Sequence, residues 1–345
     1  MFGREWEIGE LVASYFEGEE VERQKVPGFP PNIIVKHEVD ENRPTILLNG
    51  HMDTVETSLD WTKGPFSASI EDGKLYGLGA ADMKGGLAVL MDAFTSVQSP
   101  RSNVIFTAVV DEEGVSTGAY TLLEKVSADV AFVAEPSNEK VVLGSRGRYA
   151  LDIELFGKKS HGSRPDQGVN AVAEMAKVLK VLDEIELGSH EKLGKASVAP
   201  LRIRGGGDSL SVPDYCHLLV DRHIVPGEEK EKVMEEFEKK ISSLGLKSRI
   251  KISWMKRSTL FLEPYVLSKK NEKVTKFMQI YEDFFEKEPE LGYARGPGDY
   301  NVFAKRMPTL VFGPLGRNWH RADEYVETES LMRCRDFYVH LLESY

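Results

Sequence analysis

The chain has 345 residues, 41% of them apolar and 29% charged, which is enough material for two domains with apolar cores. A net charge of −11 excludes a general nucleic-acid binder, which needs clustered lysine and arginine, and no stretch approaches the roughly 20 apolar residues of a membrane span. The acid-bearing start Met1-Phe2-Gly3-Arg4-Glu5 does not read as a signal peptide, and Cys216 and Cys334 make neither a disulfide framework nor a thiolate zinc motif, so a reducing, cytoplasmic setting is expected.

Residues 4–17 carry Trp6, Ile8, Leu11, Val12, Tyr15 and Phe16 at helical spacing, with Gly18 to end the helix. Residues 32–37 and 43–49 read as strands, and the second leads into Gly50-His51-Met52-Asp53. Side chains alternate along a strand, so His51 and Asp53 face the same way. His51 is then a candidate metal ligand, and Asp53 a carboxylate that steadies a neighbouring imidazole or catalytic carboxylate. Asp72-Gly73 marks a hairpin turn between residues 67–70 and 74–76. The glycine-rich run from Gly77 to Gly86 precedes an apolar helix at 87–97. Its spacing fits neither the dinucleotide fingerprint nor the P-loop. An alternative reading is that the glycines let the backbone bend so that Asp82 points into a site.

Residues 104–110 and 128–134 are apolar strands that end in Asp111-Glu112-Glu113-Gly114 and Glu135-Pro136. Three consecutive acids are costly to gather unless something positive lies there. The other reading of that triplet is a solvated turn at a helix start. Successive strand ends thus deliver His51 with Asp53, Asp82 through a turn, Glu112 with Glu113, and Glu135. Sites in open α/β sheets gather outside the carboxyl ends of strands. One histidine among several carboxylates suits zinc, cobalt or manganese.

The texture changes near Arg148. Residues 149–156 alternate as a half-exposed strand should, and Ser160-His161-Gly162-Ser163 follows. A helix is expected at 170–187, strands at 196–203, 216–224 and 247–255, and a charged helix opening at Pro226-Gly227. This reads as an α+β sandwich, residues 148–256, inserted into a catalytic domain formed by 1–147 and 257–345. A helix at 272–286, the turn Pro297-Gly298-Asp299, a strand at 308–313 and a last helix from Glu329 return to the earlier pattern. His320 follows a strand, as His51 does.

The order His51-x-Asp53, Gly-x-Gly-x-x-Asp82-x-Lys-Gly, Asp-Glu112-Glu113-Gly, Glu135-Pro and a late His320 followed by Asp-Glu resembles the di-zinc amidohydrolase and exopeptidase family. That family includes acetylornithine deacetylase, succinyl-diaminopimelate desuccinylase and glutamate carboxypeptidase. The resemblance implies an α/β catalytic domain with a mixed central sheet flanked by helices, and an inserted dimerisation or lid domain. It implies two divalent metal ions, zinc first, with cobalt or manganese as alternatives. His51, Asp82 and Glu135 would hold one, Asp82, Glu113 and His320 the other, with Asp82 bridging. Glu112 would be the general base, Asp53 its support, and Asp82-Met83 a cis peptide. His161 would stabilise the oxyanion in a neighbouring subunit's site, or else be a surface histidine capping a loop. Many relatives carry asparagine where Leu210 stands and arginine where His223 stands, beside Arg222. Arg222, His223 and Gly298 are the expected substrate contacts, with the usual carboxylate recognition altered. The expected activity is hydrolysis of an amide in an N-acyl amino acid of the acetylornithine, acetyl-lysine or succinyl-diaminopimelate type, as in amino-acid biosynthesis. A carboxypeptidase or dipeptidase is the alternative, and a non-catalytic binding homologue a third reading. A homodimer through the inserted domain is expected, with no nucleic-acid or membrane partner.

Overall fold

The structure, a computed structural model, describes residues 5–207 and 209–345, so the Arg4 start expected for the first helix lies outside the described residues. Two compact units emerge. One comprises Met1–Gly144, Val266–Ala294 and Gly298–Tyr345, the other Ser145–Tyr265 with Arg295–Pro297.

The first unit is built on a mixed sheet. Its strand order runs Val21–Gln24, Asn32–His37, Asn103–Val109, Thr45–His51, Val130–Val133, Thr309–Val311, Val141–Ser145. Thr45–His51 is parallel to both Asn103–Val109 and Val130–Val133, and Thr309–Val311 is parallel to Val130–Val133. The outer pairings are antiparallel. The four parallel strands therefore end on the same edge. Their runs Ile46-Leu47-Leu48 and Val130-Ala131-Phe132-Val133 are apolar throughout and fully buried, because helices cover both faces of a parallel sheet. Gly85–Ser96, Glu272–Phe285 and Thr328–Ser344 supply Leu87, Leu90, Phe94, Phe277, Phe337 and Leu341 to the core. Asn271 Oδ1 caps Glu272–Phe285 by accepting from Lys273 N at 3.0 Å and Val274 N at 3.4 Å. A smaller sheet orders Gly316–Arg317, Tyr325–Glu327, Lys74–Tyr76 and Ser69–Glu71. His320 hangs from this sheet, between its first two strands, and not from an end of the large one. The expected parallel with His51 therefore holds in sequence only.

In the second unit four antiparallel strands lie in the order Ser197–Gly205, Tyr215–Ile224, Gly147–Phe156, Arg249–Trp254. Leu151, Ile153 and Leu155 alternate inward, and helices Ala171–Val181 and Lys230–Ser242 cover them with Met175, Val178, Val233 and Phe237. The helix expected at 170–187 ends at Val181. A tighter turn at Leu182–Glu184, closed by Ile185 N on Leu182 O at 3.3 Å, lets Leu182 and Ile185 reach the same core. Among the described residues no helix is long and apolar enough to cross a membrane.

Glu174 is a buried carboxylate on this helix, accepting from Lys247 N at 2.9 Å and Ser248 N at 2.8 Å. Burial raises its pKa, but these bonds outweigh it and hold the group below its ordinary 4.5. Glu174→Gln should cost about 1–3 kcal/mol in urea denaturation at neutral pH. Because the folded value is depressed, the difference from wild type should be complete above pH 4.5 and vanish as pH falls through the lower folded value.

Candidate metal centre

His51 is the last residue of its strand and is fully buried. Its Nδ1 lies 3.1 Å from the Asp53 carbonyl oxygen and 3.5 Å from Asp53 Oδ1. Nε2 thus faces inward, 3.3 Å from Asp82 Oδ1, 3.6 Å from Glu135 Oε1 and 3.8 Å from Glu112 Oε2. On the other side His320 Nε2 lies 3.3 Å from Asp82 Oδ2 and 2.9 Å from Glu113 Oε1. The two oxygens of Asp82 are divided between the two imidazoles. Three groups, His51/Asp82/Glu135, Asp82/Glu113/His320 and His51/Glu112/Glu113, each bring ligand atoms within 4.8 Å of one another.

The turns that carry these groups are fastened by buried carboxylates. Asp53 accepts from Glu112 N at 3.2 Å and Glu113 N at 3.0 Å, so one side chain orients His51 and the acidic turn together. Asp111, at φ 65°, folds that turn back through bonds from Thr117. Gly114 is required beside it, because a Cβ there would sit 2.1 Å from Asp111 Oδ1. The Asp82 turn contains the expected cis peptide, Asp82-Met83. Its amides are held by Glu324, which accepts from Gly79 N, Ala81 N and Asp82 N, each at 2.9 Å.

Sequence reasoning assigned no role to Glu324 or to Asp299. Glu324 was visible only as the acid closing the Asp-Glu pair after His320. Asp299 sits beside Gly298 and is buried, with the Ser116 side chain facing its carboxylate. Gly298 lies against Glu112: a Cβ on it would meet Glu112 Oε1 at 2.5 Å.

The charges are unbalanced without cations. Burial, reinforced by neighbouring carboxylates, pushes Glu112 and Glu135 well above the usual carboxylate range, and burial pushes Asp299 up to about 7. Burial works against the His51 imidazolium, yet Glu135, Asp53, Asp82 and Glu112 together push it well above its usual value. Asp82 and Glu113 raise His320 to about 10. Burial opposes ionisation of Asp82 too, but the two histidines hold it far below the usual range. Left alone, this cluster must hold protons to remain buried. Divalent cations would replace those protons, and a donor set of imidazole nitrogens and carboxylate oxygens fits zinc, cobalt or manganese.

The remaining expected site residues belong to the second unit. His161 is exposed on the short strand Ser160–His161, which pairs with Ser211–Val212. Its Nδ1 accepts from Ser163 N at 3.1 Å and lies 2.8 Å from Ser163 Oγ. Leu210 is exposed, and its carbonyl accepts from Gly162 N at 3.2 Å. His223 Nδ1 lies 3.2 Å from Ser197 Oγ and 3.5 Å from Asp221 Oδ2. Burial lowers its pKa, and Arg148, Arg146 and Arg222 add to this against Asp221, leaving a neutral ring at neutral pH. Arg222 corrects an expectation. It is wholly buried, ion-paired with Glu228 and bonded to the His223 carbonyl oxygen. Strand alternation turns it to the helix-covered face, so its guanidinium braces the fold and is not a substrate contact.

If the cluster takes up two divalent ions, adding zinc, cobalt or manganese to metal-free protein should stabilise it by about 2.7 kcal/mol per ion at a hundredfold excess over Kd. A thermal melt with and without chelator reads this, and an unchanged midpoint for all three ions would contradict it.

The pattern of peptidase family M20/M25/M40 matches residues 47–344. The chain is 26% identical over 313 residues to acetylornithine deacetylase of Buchnera aphidicola subsp. Schizaphis graminum, covering 87% of this chain and 80% of that protein. A tripeptidase structure from Staphylococcus aureus is similar at a TM-score of 0.79 and 20% identity, over 99% of this chain and 94% of that one. A metallo-carboxypeptidase from Sulfolobus solfataricus is similar at a TM-score of 0.77 and 18% identity, over 98% and 92% of the two chains. These structures share the mixed sheet with flanking helices. Because the matched pattern runs from the strand that carries His51 to the closing helix, this chain belongs to peptidase family M20/M25/M40.

Proposed function

We propose that this metallohydrolase cleaves the amide bond of an N-acyl amino acid of the acetylornithine, acetyl-lysine or succinyl-diaminopimelate type. The observation that carries the reading is a half-buried Glu112 beside two ligand groups that share Asp82. The likeness to an acetylornithine deacetylase over most of both chains supports the substrate class.

In this reading His51, Asp82 and Glu135 hold one divalent ion and Asp82, Glu113 and His320 the other, zinc first and cobalt or manganese as alternatives. When bound, the pair supplies Lewis acidity at the scissile carbonyl and makes water nucleophilic at neutral pH. Glu112 takes the proton of the attacking water and hands it to the leaving amine nitrogen. Asp53 keeps Glu112 and Glu113 in place through their amides. His161 donates from Nε2 to the developing oxyanion in the neighbouring subunit's site. Gly298 leaves a side-chain-free wall beside Glu112, and His223 meets the substrate as a neutral ring.

The enzyme is further proposed to be a cytoplasmic homodimer joined through the second unit. Its edge strand Ser197–Gly205 leaves Leu201 and Ile203 exposed at 52% and 49%, an open edge suited to a second copy. Both cysteines are free and buried, which suits a reducing compartment. Light scattering should give a dimer for wild type and a monomer for Ile203→Lys. A wild-type monomer would remove the dimer from the reading.

The activity is tested on a panel. N-acetylornithine, N-acetyl-lysine and N-succinyl-diaminopimelate are assayed for acetate or succinate release, and dipeptides and tripeptides for release of a terminal residue. Release from at least one acyl substrate is expected, whereas cleavage of peptides alone would overturn the deacylase reading in favour of a peptidase. On the best substrate Glu112→Gln should lose about 10²–10⁴-fold in kcat with its metal content retained. A near wild-type rate would remove Glu112 as the base.

A further inference from the structure

We propose that Glu324 is a positioning residue that sets the Asp82 carboxylate between the two imidazoles by locking the Asp82 turn to the His320 loop. The proposal rests on the two-ion reading above. Asp82 and Met83 have non-helical backbone angles, with Asp82 at φ −117° and ψ 94°. The amides of this turn therefore need acceptors from elsewhere. Glu324 is 1% exposed and supplies them: Oε2 accepts from Gly79 N, and Oε1 from both Ala81 N and Asp82 N. Its carbonyl oxygen accepts from Gly77 N at 3.1 Å. One residue thus binds the segment 77–82 at four amides.

The Asp82 turn is packed with no slack against its neighbours, the His320 loop among them. Gly79 has φ 77°, and a Cβ there would lie 2.5 Å from Thr54 Cγ2. A Cβ on Gly316 would lie 2.4 Å from Ala81 Cβ, so the strand Gly316–Arg317 presses directly on the Asp82 turn. The contact between His320 Nε2 and Asp82 Oδ2, 3.3 Å, closes the same loop from the ligand side. Asp323, the adjacent acid, does something different. It accepts from Thr62 N, Thr62 Oγ1 and Lys63 N and, among the described residues, makes no hydrogen bond to the Asp82 turn. The neighbouring pair therefore separates loop anchoring in general from the placement of Asp82 in particular.

The test is cobalt titration of metal-free wild type, Glu324→Ala, Glu324→Gln and Asp323→Ala, followed by stoichiometry and the visible d–d spectrum, with folding checked by circular dichroism. Wild type should take up two ions. Glu324→Ala should bind the more weakly held ion about 10–100-fold less tightly, with an altered spectrum. Glu324→Gln should be intermediate, since its amide oxygen still serves Ala81 N and Asp82 N while its amide nitrogen opposes Gly79 N. Asp323→Ala should keep the wild-type affinity and spectrum. A folded Glu324→Ala with both unchanged overturns the proposal, and so does an equal loss in Asp323→Ala. If Glu324→Ala does not fold, an unchanged Glu324→Gln overturns it. A wild type that binds no cobalt instead overturns the two-ion reading, and the proposal with it.

Discussion

The mutual repulsion of buried carboxylates governs how this protein is put together. Asp53, Asp82, Glu112, Glu113, Glu135 and Asp299 gather at one edge of one sheet. Two like charges about 4 Å apart repel by about 4 kcal/mol even at an effective dielectric of 20. Folded domains are stable by only about 5–15 kcal/mol in total, so a few such pairs would exhaust the margin. Some acids escape by being hydrogen-bonded where they stand, as Asp53 is by two amides and Glu324 by three. Asp82 escapes by lying between two imidazoles. Glu112 and Glu135 share the one His51 imidazole with Asp82, which does not offset burial and their carboxylate neighbours, and they are pushed toward the protonated form. Cations are what make the arrangement tolerable in its ionised form.

The parallel strands make such a gathering geometrically possible. Their apolar stretches allow burial on both faces, and their common direction puts successive chain ends side by side. The glycines around Asp82 then serve packing. A Cβ on Gly86 would lie 1.9 Å from the Ala134 carbonyl oxygen, and one on Gly85 would lie 2.4 Å from that of Ala80. The helix Gly85–Ser96 can therefore start hard against the strand that delivers Glu135. A run that invites a phosphate-binding reading is here the means of bringing two acidic turns together.

What could be read from the chain follows from range. His51, Asp53, Glu112, Glu113 and Glu135 are placed by strands a few residues long, whose period and direction are written locally. The α+β texture of residues 148–256 is local in the same sense, whereas the mixed sheet is implied only by the family resemblance. Glu324 is not: its partners lie more than two hundred positions away, and nothing near it in sequence distinguishes a clamp from a solvated acid. Arg222 fails for a related reason. Alternation says that it opposes His223, but not which face the helices cover, nor that Glu228 waits on the buried side. The end of the helix at Val181 depends on where Ile185 must go, which is a property of the finished core.

In the proposed reading the departures at positions 210 and 223 bear on selectivity, since neither residue is among the ligand groups around Asp82. An arginine at 223 would offer a planar fork with permanent charge to a carboxylate. His223 offers a neutral ring instead, kept neutral by burial and by Arg148, Arg146 and Arg222. Arg148 does not simply stand in for it, because Asp221 already holds its guanidinium at 2.6 Å. A neutral hydrogen bond contributes about 0.5–1.5 kcal/mol where one to a charged group contributes about 1.5–3. The difference at a single contact is therefore roughly tenfold in affinity. A substrate carboxylate has less to gain at this position than an arginine would give it. In the proposed reading the neutral ring of His223 bears on selection among acyl amino acids, while the bond-breaking chemistry belongs to the residues grouped around Asp82.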